Sequence, residues 1–198
     1  MSKRLAKRDR GICDPSDQLM ATYPAILKNY PAKHVNNNSD EHDFYRGQPS
    51  LNTAITLAAT ARTSNGGKHG HQWRIPPKLL SRFGARLLEV RGRLKSAPNF
   101  HELWIEVKVV GGRMKGIGEL TIYDTAHRVG IYLRKEPEYV YLHAGARAGA
   151  RALGLPVDPG YLRISDVPKE LRHLKPSEIE DCLCIYKHSL SLIRAASR

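Results

Sequence analysis

Met114-Lys115-Gly116-Ile117-Gly118-Glu119-Leu120-Thr121 decides how the chain is read. Two glycines one residue apart let the backbone turn tightly and bring bare amide N–H groups close to a ligand. The helix expected to begin at Glu119 adds its own unsatisfied N–H groups and the positive end of its dipole. Together these make a pocket suited to an oxyanion, above all a phosphate. Ile117, between the glycines, is expected to point inward and lock the turn to the helices on either side. Upstream, Asn99 and Glu102 have the spacing of a capping box, which predicts a helix over Phe100 to Val110 with Phe100, Leu103, Val107 and Val110 inward. Downstream, Ile122, Ala126, Val129 and Leu133 mark the inner face of a helix over Glu119 to Leu133.

Further out, apolar residues keep recurring at three and four, and alternation at two is nearly absent. The fold class is therefore expected to be all-α, one helical domain over residues 17–198 behind a flexible basic arm at 1–16. Asp17 to Tyr30 reads as a weak helix broken at Pro24, and residues 31–50 as a polar loop. Ser50 caps a short apolar helix running to Ala61. A helix over Pro77 to Lys95 follows a Gly- and His-rich loop, and carries Leu80, Phe83, Leu87, Val90 and Leu94 on one stripe. His143 to Leu153 is a small-residue helix stopped by Gly154. Asp166 and Pro168 open a short helix. Pro176 opens the last one, with Ile179, Leu183, Tyr186, Leu190 and Ile193 on one face.

Charge points to the partner. The 198 residues carry 32 Lys and Arg against 19 Asp and Glu, a formal net charge of +13. Residues 1–10 hold a net +4 and residues 68–95 a net +7, so the field is localised as a docking surface requires. Lys78, Arg82, Arg86 and Arg93 form a second stripe on the Pro77 helix, opposite the apolar one. A polyanion is the expected partner, nucleic acid before an anionic membrane. No apolar run approaches membrane-spanning length. The N-terminus has no apolar stretch behind its charge, as a signal peptide would. Three cysteines suit a reducing cytosol, and a chromosome-binding protein of a bacterial cell would be nucleoid-associated.

The hairpin and its surroundings resemble the helix-hairpin-helix motif of nucleic-acid-binding proteins, and more closely the DNA glycosylases of the endonuclease III kind. The resemblance runs from about residue 99 to 155. It includes Val140-Tyr141-Leu142-His143 leading into a helix that ends Arg151-Ala152-Leu153-Gly154-Leu155. It implies a helix-hairpin-helix at about 99–133 that holds duplex DNA by its backbone. Leu120 falls where bifunctional members carry a catalytic Lys, so a Schiff-base step is not implied. His143 falls where the family carries its catalytic Asp, and an imidazole cannot stabilise an oxocarbenium-like sugar as a carboxylate does. Because the connection is several residues longer than in the family, Glu138 and Asp124 stand as alternative carboxylates. The iron–sulfur cysteine cluster of some members is absent.

The resulting expectation is duplex DNA binding without glycosylase chemistry. Arg113, Lys115, Gly116, Ile117 and Gly118 hold one phosphate, while Lys68, His69, His71, Lys78, Arg82, Arg86 and Arg147 extend the contact. Six neutralised phosphates would give a slope of about −5 in log K against log salt. Trp73, in the loop GGKHGHQWRIPP, can stack on a base or pack in the core. His69 and His71 lack the further ligands of a metal site, Cys182 and Cys184 lie two apart on a helix, and nothing calls for a cofactor. The small residues of the His143 helix read as packing. Two alternatives stay open: a base-excision glycosylase acting through His143, Glu138 or Asp124, and a module for structured RNA. The sequence says nothing of oligomeric state.

Overall fold

The computed structural model describes residues 19–196, with the side chains of 32–38 left out. The basic arm expected at 1–16 lies outside the described residues. Nine α-helices are described: α1 Tyr23–Arg46, α2 Leu51–Ala59, α3 Pro77–Glu89, α4 Arg91–Ser96, α5 Phe100–Gly111, α6 Glu119–Leu133, α7 Ala144–Leu153, α8 Pro176–Ile185 and α9 Lys187–Ala196. Two short strands, β1 Val140–Tyr141 and β2 Tyr161–Leu162, pair antiparallel with Val140 opposite Leu162. The molecule is thus mostly helical, and no helix of the described residues is long and apolar enough to cross a membrane.

Several boundaries differ from those expected. Pro24 does not break the first helix but sits in its first turn, where a missing N–H costs nothing. The segment read as a loop over 31–50 continues that helix through Pro31 to Arg46, and Gly47 closes it with an N–H to the Asp43 carbonyl. Its polar run hides the signal, because among its described side chains the buried apolar ones are Ile26, Tyr30 and Tyr45. Tertiary packing there outweighs weak propensity. The helix expected over Pro77 to Lys95 bends at Val90 (φ −107°, ψ 15°), which lets α3 pack on α2 while α4 packs on α5. The last helix bends likewise at Tyr186 (φ −96°, ψ 19°), and α9 turns back onto α7. Asp166 ends one 3-10 turn, Ile164–Asp166, and Pro168 precedes a second, Lys169–Leu171, instead of opening a helix. Nothing in the sequence marks the strands, because two residues each show no alternation.

Caps and inner faces follow the sequence closely. Ser50 Oγ accepts from Thr53 N at 3.1 Å and Asn99 Oδ1 from Glu102 N at 3.0 Å. Gly154 ends α7 in the left-handed region at φ +75°. The core is in two parts. One joins α2 to α6, around Phe83, Leu87, Phe100, Leu103 and Val129. The other joins α7, α8 and α9 around Ala146, Ala150, Ile179, Leu183 and Leu190. Helix α1 spans both, with Ile26 and Tyr30 in the second and Tyr45 in the first. The alternation of β1 and its flank does the same: Val140 and Leu142 enter one core and Tyr141 the other.

Small residues set the α7–α8 crossing. A Cβ at Gly149 would overlap the Leu183 carbonyl, and one at Gly145 would overlap Cys184 Sγ. Gly92, in α4, faces open space. Replacing Gly149 by Ala is expected to destabilise by about 2–3 kcal/mol, since α8 backbone must move. Gly92→Ala is expected to stabilise by about 0.5–1 kcal/mol through helix propensity. Urea unfolding midpoints of the two variants check both signs.

Candidate nucleic-acid interface

Helices α5 and α6 pack against each other and are joined by the turn at residues 112–118. Ile117 is buried at the root of the turn, and Gly111 is where it fits: a Cβ there would lie 2.7 Å from Ile122 Cγ1 and 3.3 Å from Ile117 Cγ2. Two amides close the turn internally, Met114 N to the Gly111 carbonyl at 2.9 Å and Ile117 N to the Met114 carbonyl at 3.0 Å. Gly116 takes φ +95°, which a side chain would strain. Gly118 is the N-cap of α6, and no side chain caps that end. The amides of Gly116 and Gly118 make no internal hydrogen bond among the described residues, and both glycines are exposed.

The basic helix lies against this turn. A Cβ at Gly116 would stand 2.8 Å from Leu79 Cδ2. Lys78 adjoins that contact along the chain, and Arg82, three residues on, neighbours Leu79 on the helix surface. Lys78, Arg82, Arg113 and Lys115 are exposed and have no acidic partner among the described residues. Arg86 pairs with Glu89 at 3.0 Å, but both side chains are mostly exposed, so the pair is weak and exchangeable.

Four of the residues expected on the same surface do other work. Lys68 Nζ donates to the Ile75 carbonyl at 2.6 Å and to that of Trp73 at 3.3 Å, clipping its own loop. Burial and the nearby Arg62 hold its pKa down. His69 and His71 turn toward a cleft between α1, α6 and α8, where His69 Nε2 stands 3.6 Å from Glu41 Oε1. Arg147 grips Glu119 with both guanidinium nitrogens, at 2.7 and 3.1 Å. Trp73 did not pack in the core: its residue surface is 70% exposed.

The cleft has a volume of about 400 Å³ and its lining carries seven carboxylates against five Lys and Arg. Its floor is an ion network. Arg128, almost fully buried, donates from Nε to Glu41 Oε1 at 2.6 Å, with Nη2 3.5 Å from Asp124 Oδ2. Gln72 Nε2 donates to the same Asp124 oxygen. Burial opposes the Arg128 charge, and Glu41 and Asp124 more than restore it, raising the pKa further. Glu41 is held below the usual carboxylate range: burial works against the charge, and Arg128 and His69 outweigh it.

His143 caps α7. Its Nδ1 accepts from Gly145 N at 3.2 Å, which places the neutral ring's hydrogen on Nε2, the atom that meets Glu180 Oε1. Both ring nitrogens are therefore engaged. Burial pushes the His143 pKa down, but the bond and charge of Glu180 override it, so the net direction is upward. Glu180 is raised by burial despite His143. Of the other carboxylates considered for chemistry, Asp124 belongs to the Arg128 network, and Glu138 is exposed ahead of β1 and lines neither this cleft nor the cavity beside α7. Leu120 lines the cleft. Among the described residues no group of three or more His, Cys, Asp or Glu is arranged to hold a metal ion.

Sequence reasoning missed Glu41, Gln72, Arg128 and Glu180. Glu41 sits in the segment read as loop, and Glu180 reads equally well as an acid complementing its helix dipole. The spacing of Asp124 and Arg128, four apart, is the one signal that offered the pair. No family model, no curated protein and no solved structure matches the chain.

The histidines are expected to titrate in opposite directions. His143 is raised above 6.5, whereas His127, whose ring stacks on Tyr123 at 5.9 Å, and His69 are lowered by burial. His143 then contributes stability that is complete below about pH 6.5 and lost as pH rises through its folded value. His69 and His127 contribute above that pH and lose it as pH falls. NMR titration of the imidazole resonances reads the three directions, and Glu180→Gln is expected to bring His143 back down.

Proposed function

We propose that the protein binds duplex DNA through its backbone, with the turn between α5 and α6 as the central phosphate contact. The N–H groups of Gly116 and Gly118 and the open first turn of α6 take one phosphate. Arg113 and Lys115 add charge on the turn itself, and Lys78 and Arg82 carry the contact to neighbouring phosphates. One observation supports this above the others: exposed, uncapped amides lie against a helix whose nearest cations have no acid to neutralise them. The resemblance to the helix-hairpin-helix motif agrees with it. The cleft is a poor track for a polyanion, because carboxylates outnumber cations in its lining. Trp73, exposed on a loop tied down by Lys68 and by the Gln72–Asp124 bond, is placed in this reading as a stacking surface for an unpaired base.

A glycosylase reading draws on Asp124 at the cleft, since His143 has no free ring nitrogen. Alkali-induced breaks in duplex carrying damaged bases, abolished by Asp124→Asn, would replace binding with catalysis. Structured RNA outcompeting duplex DNA at equal salt would replace the partner.

Four free cations make about four phosphate contacts, so log K against log salt is expected to fall with a slope of about −3.6, from −0.9 per phosphate. This is shallower than the −5 expected of six, because Lys68 and Arg147 are committed elsewhere and Arg86 has Glu89 as a partner. A slope near zero removes the proposal. Gly118→Val is the clean substitution, because nothing lies within 4 Å of its Cβ position. It is expected to weaken binding about tenfold while lowering the melting temperature by only a few degrees, the cost of an apolar N-cap. Fluorescence anisotropy with labelled duplex reads both the slope and the loss.

A further inference from the structure

Glu119 is a carboxylate where a phosphate contact should find none. It is the first residue of α6, directly after the exposed Gly118, and its side chain is 57% exposed. Toward its own helix the charge is favourable, since acids complement the positive end of the dipole. Toward an arriving phosphate it is a like charge.

Arg147, in the first turn of α7, meets this carboxylate. Nη1 donates to Oε2 at 2.7 Å and Nη2 to Oε1 at 3.1 Å, so both carboxylate oxygens are held in a parallel fork. The arginine is the better-covered partner, with 23% of its side chain exposed. It lines a second cavity, of about 330 Å³, between α5, α6 and α7. Facing groups on the neighbouring elements are Lys108 on α5, His143 at the start of α7 and Asp158 ahead of β2. A guanidinium so engaged has little left to offer a phosphate.

We propose that Arg147 is a positioning residue that masks Glu119, neutralising the carboxylate and drawing it toward α7 so that the Gly116 and Gly118 amides meet a phosphate without a competing anion. The mask rests on the DNA-binding reading above. It makes Arg147 contribute to binding although it touches no phosphate, and it makes Glu119 the reason.

The full-length chain, Arg147→Ala, Glu119→Gln and the double variant are titrated with duplex DNA across a range of salt. Arg147→Ala is expected to weaken binding about three- to tenfold near 0.1 M salt, with the log–log slope unchanged. The double variant is expected to recover to within about twofold of Glu119→Gln. If the slope instead flattens by about 0.9 and Glu119→Gln gives no rescue, Arg147 is a phosphate ligand and the mask is wrong. Unchanged affinity of Arg147→Ala overturns it equally. Without DNA, the Glu119 carboxyl is expected to titrate below the usual range and to move back up in Arg147→Ala; no movement refutes the pair itself. A wild-type chain that binds no duplex overturns the DNA reading and the mask with it, an outcome separate from all the variant results.

Discussion

The turn between α5 and α6 depends on one side chain going where another is missing. Ile117 is buried because Gly111 leaves room for it and for Ile122 at the same point. That packing fixes the turn as a rigid corner. Everything proposed for the outer surface follows from it, since amides can be held out toward solvent only if the chain carrying them cannot relax back and satisfy them. The internal bonds of Met114 and Ile117 use up two N–H groups in making the corner and leave those of the two glycines.

Opposite charges are sorted to different sides of α6. The turn leading into this helix carries Arg113 and Lys115 and the adjoining α3 carries Lys78 and Arg82, none with an acidic partner among the described residues. The middle of α6 carries Asp124 and Arg128 into a cleft rich in carboxylates and histidines. Bringing Arg128 out of water is costly, and Glu41 and Asp124 are what make its charge tolerable there. Because Glu41 comes from α1, the same network ties α1 to α6. The ion network is in this sense a structural tie. The cationic face has no comparable internal partner.

What was legible in the sequence was local. Inner faces of α3, α5, α6 and the last helices could be read because three- and four-residue spacing repeats there without interruption. The caps at Ser50, Asn99 and Gly154 could be read because each is a single side chain or glycine acting on its own helix. Helix α1 could not, since its described buried residues stand in a polar run and Tyr30 gains its value from a partner more than a hundred residues away, Asp181, against its hydroxyl. The same limit governs the site. Gly116 to Gly118 announce themselves by spacing, whereas the commitments of Lys68 and Arg147 depend on acceptors that only folding brings near. His143 is the sharpest case: its alignment with a catalytic position says nothing of Gly145 and Glu180, which occupy both its nitrogens.

Gly116 and Gly118 look alike in sequence but answer to different masters. At Gly116 the backbone angle and Leu79 together forbid a side chain, so the fold alone would keep the glycine. At Gly118 neither angle nor neighbour objects. Drift among descendants of this chain would therefore be open at 118 to Ser, Thr, Asp and Asn, which cap a helix about as well or better, and blocked at 116 if folding were the sole demand. A lineage that nevertheless retained both would be recording, at 118, the shape of something outside the protein.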